Sequence, residues 1–106
     1  MTPDDIKNRL RAAKTLPELV AAWEAVTPAW QALGEPFKTQ VWNLKDDRKC
    51  PCFKASFMAQ WEQDNATQPG ADETAIMDAL ATEYNIDRRS AVVWANDALA
   101  GNIGVG

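Results

Sequence analysis

The chain is 106 residues long, near the commonest size of one domain, and 46% of its residues are apolar, which excludes a disordered chain. No apolar run approaches the roughly 18 residues that span a bilayer. The formal net charge is -4, unevenly divided: residues 1–54 hold nine basic and seven acidic residues, and residues 55–106 hold two and eight. Because nucleic-acid binding depends on clustered basic side chains, this balance disfavours it.

The start of the chain, Met1 to Asp5, is polar and acidic and lacks the basic and apolar segments of a secretory signal. Two cysteines, Cys50 and Cys52, are too few for a disulfide scaffold. We therefore expect a cytoplasmic protein that does not enter a membrane.

The first two predicted helices have marked beginnings. Thr2 precedes a proline and two acids, and Thr15 opens a Thr-x-x-Glu capping box. Pro28 is expected to kink or break the second helix. The second helix carries apolar residues three or four positions apart: Leu16, Leu19, Val20, Trp23, Val26, Trp30 and Leu33.

A third helix is predicted from Glu35-Pro36 to Cys50-Pro51-Cys52, where the proline should end it. Residues 41–53 also fit a short β-hairpin, so both interpretations stay open here. A further helical segment carries Phe53, Phe57 and Trp61 at every fourth position.

The stretch 64–70, DNATQPG, is predicted to be a loop or linker. Asp72 then caps a helix, and a turn at 85–87 leads to a last helix that ends at Gly101, before a mobile tail at 102–106. The predicted fold is one all-α domain of five or six short helices, with an N-terminal half at 1–49 and a C-terminal half at 53–101.

Residues that carry catalysis are scarce. The chain has no histidine and no glycine-rich phosphate loop. Cys50 and Cys52 are only half of a zinc ligand set, so they could hold a metal only in a site shared across a dimer. The sequence leaves their redox state and the oligomeric state open. We expect no cofactor and no enzymatic activity.

Surface side chains are the remaining candidates. Trp23 and Trp30 are predicted to belong to a core stripe, whereas Trp42 and Trp94 fall beside the main apolar faces, where an exposed ring could anchor a partner. The last two helices have helix-turn-helix spacing with two arginines at the start of the second, opposed by several acids. The acidic half also permits mimicry of nucleic-acid charge. The candidate partner-binding residues are Trp42, Trp94, Arg88, Arg89, Asp78 and Glu83.

Residues 14–49 combine a Thr-Leu-x-Glu-Leu motif, a tryptophan four residues further on, a short break and a helix ending in Lys-Asp-x-Arg-Lys. The segment resembles the helical accessory region of phage single-strand annealing and recombination proteins. This resemblance implies a mobile-element origin and a protein partner. The matching residues are Thr15, Leu16, Glu18, Leu19, Trp23, Lys45, Asp46, Arg48 and Lys49.

Residues 56–104 are similar, more loosely, to peptide-recognition domains related to the pyrroloquinoline quinone chaperone. That resemblance implies a winged helix in which a leader peptide joins the edge of a three-stranded sheet. The positions that carry it are Trp61, Ile76, Leu80, Glu83, Tyr84, Ile86, Asp87, Ala91 and Leu99.

Together these observations predict a non-enzymatic adaptor or inhibitor, encoded by a phage or mobile element, that binds a host or phage protein of nucleic-acid metabolism or defence. Two alternatives remain: a peptide-binding recognition domain that serves a modification enzyme, and a helix-turn-helix DNA-binding protein.

Overall fold

The computed structural model describes residues 1–68, 70 and 72–101, and all the regular structure in this part of the chain is helical. The predicted all-α fold is therefore confirmed, and the alternative hairpin at 41–53 is wrong. The predicted tail at 102–106 lies outside the described residues. The helices are α1 (Pro3–Ala12), α2 (Leu16–Gln31), α3 (Phe37–Thr67), α4 (Glu73–Glu83) and α5 (Arg88–Leu99).

Four of the five helices begin at a residue whose side chain accepts a hydrogen bond from a backbone N–H of the first turn. Thr2 and Thr15 form complete capping boxes with Asp5 and Glu18, respectively. Asp72 and Asp87 cap α4 and α5 by accepting hydrogen bonds from the backbone N–H groups of Ala75 and Ser90, each at 3.1 Å. The predicted starts of these helices are confirmed.

Pro28 does not break α2, which continues from Leu16 to Gln31. The Thr27 hydroxyl donates to the carbonyl of Trp23 at 2.6 Å, within the same helix. A threonine that bonds back to the preceding turn is compatible with a continuous helix. The expected break at this proline was wrong, and the alternative expectation of a kink stays a prediction.

The largest departure from the sequence prediction is α3, which runs for 31 residues through Pro51. The predicted stop at the Cys-Pro-Cys segment was wrong because Cys52 and Phe53, which directly follow Pro51, are both fully buried. Burial of this size outweighs the roughly 3 kcal/mol that an interior proline costs.

The predicted loop at 64–70 is also helical as far as Thr67. Asn65 and Thr67 favour loops by propensity, but here their side chains donate to the carbonyls of Trp61 and Gln63 at 3.0 and 3.1 Å. These bonds to the preceding turn satisfy polar groups that would otherwise compete with the helix.

The described helices do not include a membrane-spanning candidate. α3 exceeds the roughly 20 residues that a bilayer requires, but charged residues occur throughout it. None of the helices in the described part of the chain is apolar enough, over a sufficient length, to cross a membrane.

The chain divides into two compact units, Met1–Cys52 and Phe53–Gly106. The first contains α1, α2 and the beginning of α3, and its fully or almost fully buried side chains come from all three helices and the α1–α2 turn. They are Ile6, Leu10, Ala13, Leu16, Leu19, Val26, Val41 and Cys52.

The second unit contains the remainder of α3 together with α4 and α5. Two phenylalanines from α3, with ring centroids 6.1 Å apart, are its largest buried side chains. α5 contributes three buried alanines. The buried apolar residues of this unit are Phe53, Phe57, Ile76, Met77, Ala81, Ile86, Ala91, Ala95 and Ala98.

Candidate functional site

Three tryptophans of the first unit form a cluster. Trp23 and Trp30 lie two turns apart on α2 with ring centroids separated by 5.1 Å, and Trp42 of α3 lies 5.7 and 5.5 Å from them. These separations fall in the range of favourable aromatic pairs, and the rings are tilted or edge-on to one another. We call Trp23, Trp30 and Trp42 the tryptophan cluster.

The cluster is fixed to the start of α3 by a hydrogen bond. The indole Nε1 of Trp30 donates to the carbonyl oxygen of Lys38 at 3.0 Å. A half-buried indole needs such an acceptor, because an unpaired N–H removed from water is costly. The bond holds the Trp30 ring in one orientation.

Two lysines of α3 place their ammonium groups on the cluster. Lys45 Nζ lies 3.3 Å from the centroid of the Trp42 ring and 4.7 Å from that of Trp23, and Lys38 Nζ lies 5.0 Å from that of Trp30. All three distances are within the range of cation–π attraction. Each tryptophan of the cluster therefore has a cation of the same chain against its ring.

Lys45 is also the titratable group most affected by the cluster. Burial beside the indole rings lowers the pKa of Lys45 below its ordinary value of 10.5, while the nearby carboxylate of Asp46 opposes the change. The Asp46 Oδ1 atom lies 3.6 Å from Lys45 Nζ and 3.5 Å from Lys49 Nζ. The acid thus partly neutralises both lysines.

Part of this surface is open to solvent. The side chain of Trp42 is 43% exposed, and Phe37, one turn and a half earlier on α3, is 46% exposed. An open pocket of about 290 Å³ is lined by Trp30, Glu35, Lys38, Thr39 and Trp42. This pocket is of the size that takes one or two side chains of a partner.

Glu35 lines this pocket, but its carboxylate is hydrogen-bonded within the first turn of α3. Its Oε2 accepts from the Thr39 backbone N–H at 3.3 Å and from the Thr39 hydroxyl at 2.6 Å. A carboxylate at a helix N-terminus is stabilised by the unpaired N–H groups and the helix dipole. Both donors are uncharged, so they hold the carboxylate in place and leave its formal negative charge at the pocket.

The sequence predicted an anchor at Trp42 or Trp94, and the structure places them differently. Trp42 is exposed, whereas Trp94 is half-buried with its ring centroid 5.7 Å from that of Phe53 in the second unit. Trp23 and Trp30, predicted as core, are only half-buried and belong to the cluster. The spacing that could have indicated this surface is Trp42 to Lys45, three residues apart on one helix face.

The charged candidates all lie in the second unit, on α4 and α5. Arg88 Nε lies 3.5 Å from Asp78 Oδ1, so the structure brings this pair together in an exposed salt bridge. Arg89 and Glu83 are exposed. An exposed ion pair contributes little to stability and restrains the side chain of Arg88.

The two cysteines occupy different environments. Cys52 is fully buried, and its Sγ donates to the carbonyl oxygen of Ala13 at 3.5 Å, while Cys50 is half-buried. Burial raises the pKa of the Cys52 thiol above 9.0, although the neighbouring Arg48 opposes this. Within residues 1–68, 70 and 72–101, no three His, Cys, Asp or Glu side chains are grouped so that they could hold a metal ion.

Comparisons of the chain with protein-family models, with curated proteins and with solved structures gave no match. The two sequence resemblances therefore stay predictions. The functional argument depends on the geometry of the tryptophan cluster.

Proposed function

We propose that the chain is a non-enzymatic, cytoplasmic adaptor or inhibitor that binds another protein through the tryptophan cluster. The observation that carries the proposal is the state of Trp42, a large ring that is 43% exposed while its neighbours hold it in place. Such a residue has the properties of an interface anchor.

Tryptophan is strongly enriched among the residues that dominate binding energy at protein interfaces. Trp42 contacts two other indoles and one ammonium group, so little side-chain freedom remains to be lost when a partner binds. The pocket beside it offers a concave surface into which a partner side chain can insert. Exposure, rigidity and shape together support a docking role.

The nature of the partner is supported by the resemblance of residues 14–49 to the accessory region of phage annealing and recombination proteins. That segment contains the whole tryptophan cluster and Lys45. We therefore propose a phage or mobile-element protein whose target is a host or phage protein of nucleic-acid metabolism or defence.

The geometry gives less support to the two alternatives. A helix-turn-helix reader requires free basic side chains at the start of its second helix, but Arg88 is paired with Asp78. Peptide addition to a sheet requires an edge strand, and residues 1–68, 70 and 72–101 contain none.

The test compares Trp42→Ala with Val93→Ala, which truncates a 52% exposed residue of the second unit. Each of the three chains is used to capture proteins from bacterial lysate, and the captured proteins are identified by mass spectrometry. A partner is a protein that the wild-type chain and the Val93 variant capture and the Trp42 variant does not. The purified partner is then titrated by calorimetry. Because Trp42→Ala removes the proposed interface anchor, it should raise the Kd for the partner by about 30-fold or more.

Circular dichroism of both variants provides the control for folding. A partner that binds both variants with equal affinity would show that the tryptophan cluster is not the docking surface. Turnover of a small molecule by the pure chain, abolished by substitution of one acid or thiol, would contradict the non-enzymatic proposal.

A further inference from the structure

We infer that the partner presents an apolar side chain with an acidic residue next to it, which inserts beside Trp42 and pairs with Lys38. The inference rests on the proposed function, since it concerns the ligand of the same surface. It follows from how the charges around the pocket are distributed and from which of them are already compensated.

Cations are poor candidates for this pocket. Exposed indole rings commonly attract ammonium and guanidinium groups, but here each ring of the cluster already has a lysine of the chain against it, at 3.3 to 5.0 Å. A cationic ligand would have to displace Lys38 or Lys45 or approach it against charge repulsion. The site therefore favours a neutral or negative group.

Of the two charged side chains that line the pocket, Glu35 is held by hydrogen bonds, and Lys38 is the one whose charged group is free to pair. Glu35 is engaged by Thr39 and by the start of α3, and Asp46 is shared between Lys45 and Lys49. Lys38 forms no salt bridge with any residue in the described part of the chain. Its ammonium group is half-buried at the wall of the pocket and is available to a carboxylate.

The rings supply the apolar component. Trp30 and Trp42 line the pocket, and Trp42 is partly exposed there. An aliphatic or aromatic side chain would bury this area and exclude water from the Lys38–carboxylate pair. Exclusion of water strengthens a charge-assisted hydrogen bond, so the two components reinforce each other.

A single-stranded nucleic acid also combines negative charge with flat rings, but the geometry fits it less well. Bases stack on open aromatic faces, and the faces of Trp30 and Trp42 are approached by Lys38 and Lys45. Binding along a phosphate backbone also needs a basic track, whereas Asp46 and Asp47 interrupt the basic residues of α3.

The experiment selects random peptides displayed on phage against the full chain, against Trp42→Ala and against Lys38→Glu. Lys14→Glu introduces the same charge change at an exposed residue between α1 and α2 and is the matched control. Peptides that require Trp42 should carry Asp or Glu within about three residues of an aliphatic or aromatic anchor. Synthetic copies should bind Lys38→Glu about tenfold more weakly and Lys14→Glu as tightly as the wild-type chain.

The other outcomes separate the two proposals. Peptides that need Trp42 but show no acidic preference, or prefer basic residues, would overturn this inference and leave the docking surface intact. Absence of any peptide that depends on Trp42 would overturn both. A fluorescent oligothymidylate is tested in parallel. If it binds more tightly than the peptides and its binding depends on Trp42 and Lys38, the surface is assigned to nucleic acid instead.

Discussion

Cys52 is a buried thiol whose hydrogen-bond acceptor is the carbonyl of Ala13, the residue that ends α1. The same carbonyl accepts from Arg48 Nη2 at 2.6 Å. A C-terminal carbonyl of a helix has no partner within its own helix, so these two side chains of α3 supply what α1 cannot.

We predict that Cys52 reacts with a disulfide reagent far more slowly than Cys50 does. Thiolate is the reactive form, and burial both raises the pKa of Cys52 and blocks access to its sulfur. Cys50→Ala and Cys52→Ala each leave a single thiol, so the two rates are measured separately at pH 8. A Cys52 rate equal to that of an unfolded peptide thiol would contradict the described burial.

The raised pKa of Cys52 also makes stability depend on pH. Above pH 9.0 the unfolded chain loses the thiol proton while the folded chain keeps it. The contribution of Cys52 to the free energy of unfolding is therefore constant below pH 9.0 and falls as the pH rises past that value. Urea unfolding of wild type and Cys52→Ala between pH 7 and 10 measures the effect. The difference between the two proteins should narrow at the alkaline end.

At the scale of elements, Arg48 links α3 to the end of α1. Its Nη2 atom donates to Ala13, while its Nε is buried and has no hydrogen-bond partner among the described residues. Arg48 therefore combines one strong, charge-assisted bond with one unsatisfied donor.

Substitution of Arg48 by Met should lower the free energy of unfolding by about 1.5–3 kcal/mol, because it removes a hydrogen bond from a charged donor. Loss of the unpaired Nε offsets part of this cost. Chemical denaturation measures the change, and Arg9→Met on the exposed face of α1 is the control. An Arg48 effect no larger than the control would show that the bond to Ala13 contributes nothing.

Thr15→Ala should destabilise α2 by about 1 kcal/mol, because the Thr15 hydroxyl accepts from the Glu18 N–H at the helix start. Thr15→Ser keeps the acceptor and should lose much less. Thermal unfolding of the two variants gives the comparison, and equal losses would mean that the cap is not the cause.

Local signals account for what the sequence could predict at this scale. Each N-cap is recognisable from a pattern of about four consecutive residues, and the helices that these caps begin are present. The caps are Thr2, Thr15, Asp72 and Asp87. The continuity of α3 through Pro51 depends on burial of the residues that follow it, which a local pattern does not contain. Tertiary packing overrides propensity in this helix.

The candidate site was less predictable than the fold. Trp42 stood out because it lies beside the apolar face of its helix, but its contacts with Trp23 and Trp30 join two helices. Sequence periodicity assigns a residue to a face and does not say which faces meet. For that reason the sequence predicts Trp23 and Trp30 in the core, although they are half-buried around Trp42.

At the scale of the whole molecule, the two compact units differ in charge. Residues 1–52 hold eight basic and seven acidic residues, whereas residues 53–106 hold three and eight. The second unit encloses one of its few cations, because Lys54 is buried and its Nζ lies 3.8 Å from Asp97 Oδ2. The proposed docking surface is in the less acidic unit.

Phe57→Ala should lower the free energy of unfolding by about 3–5 kcal/mol, since it leaves a cavity among fully buried side chains. That is a large share of the roughly 5–15 kcal/mol expected for a domain. Urea denaturation measures it, with the exposed Val93→Ala expected to change stability by less than about 0.5 kcal/mol. Similar values for both variants would argue against the described core.

The tryptophan cluster gives the molecule an intrinsic optical reporter. Three indole chromophores with centroids no more than 5.7 Å apart exchange excitation energy, and a tilt of one ring alters the emission and dichroism of all three. Binding of any molecule to Trp42 would therefore change the ultraviolet spectrum of the unlabelled protein.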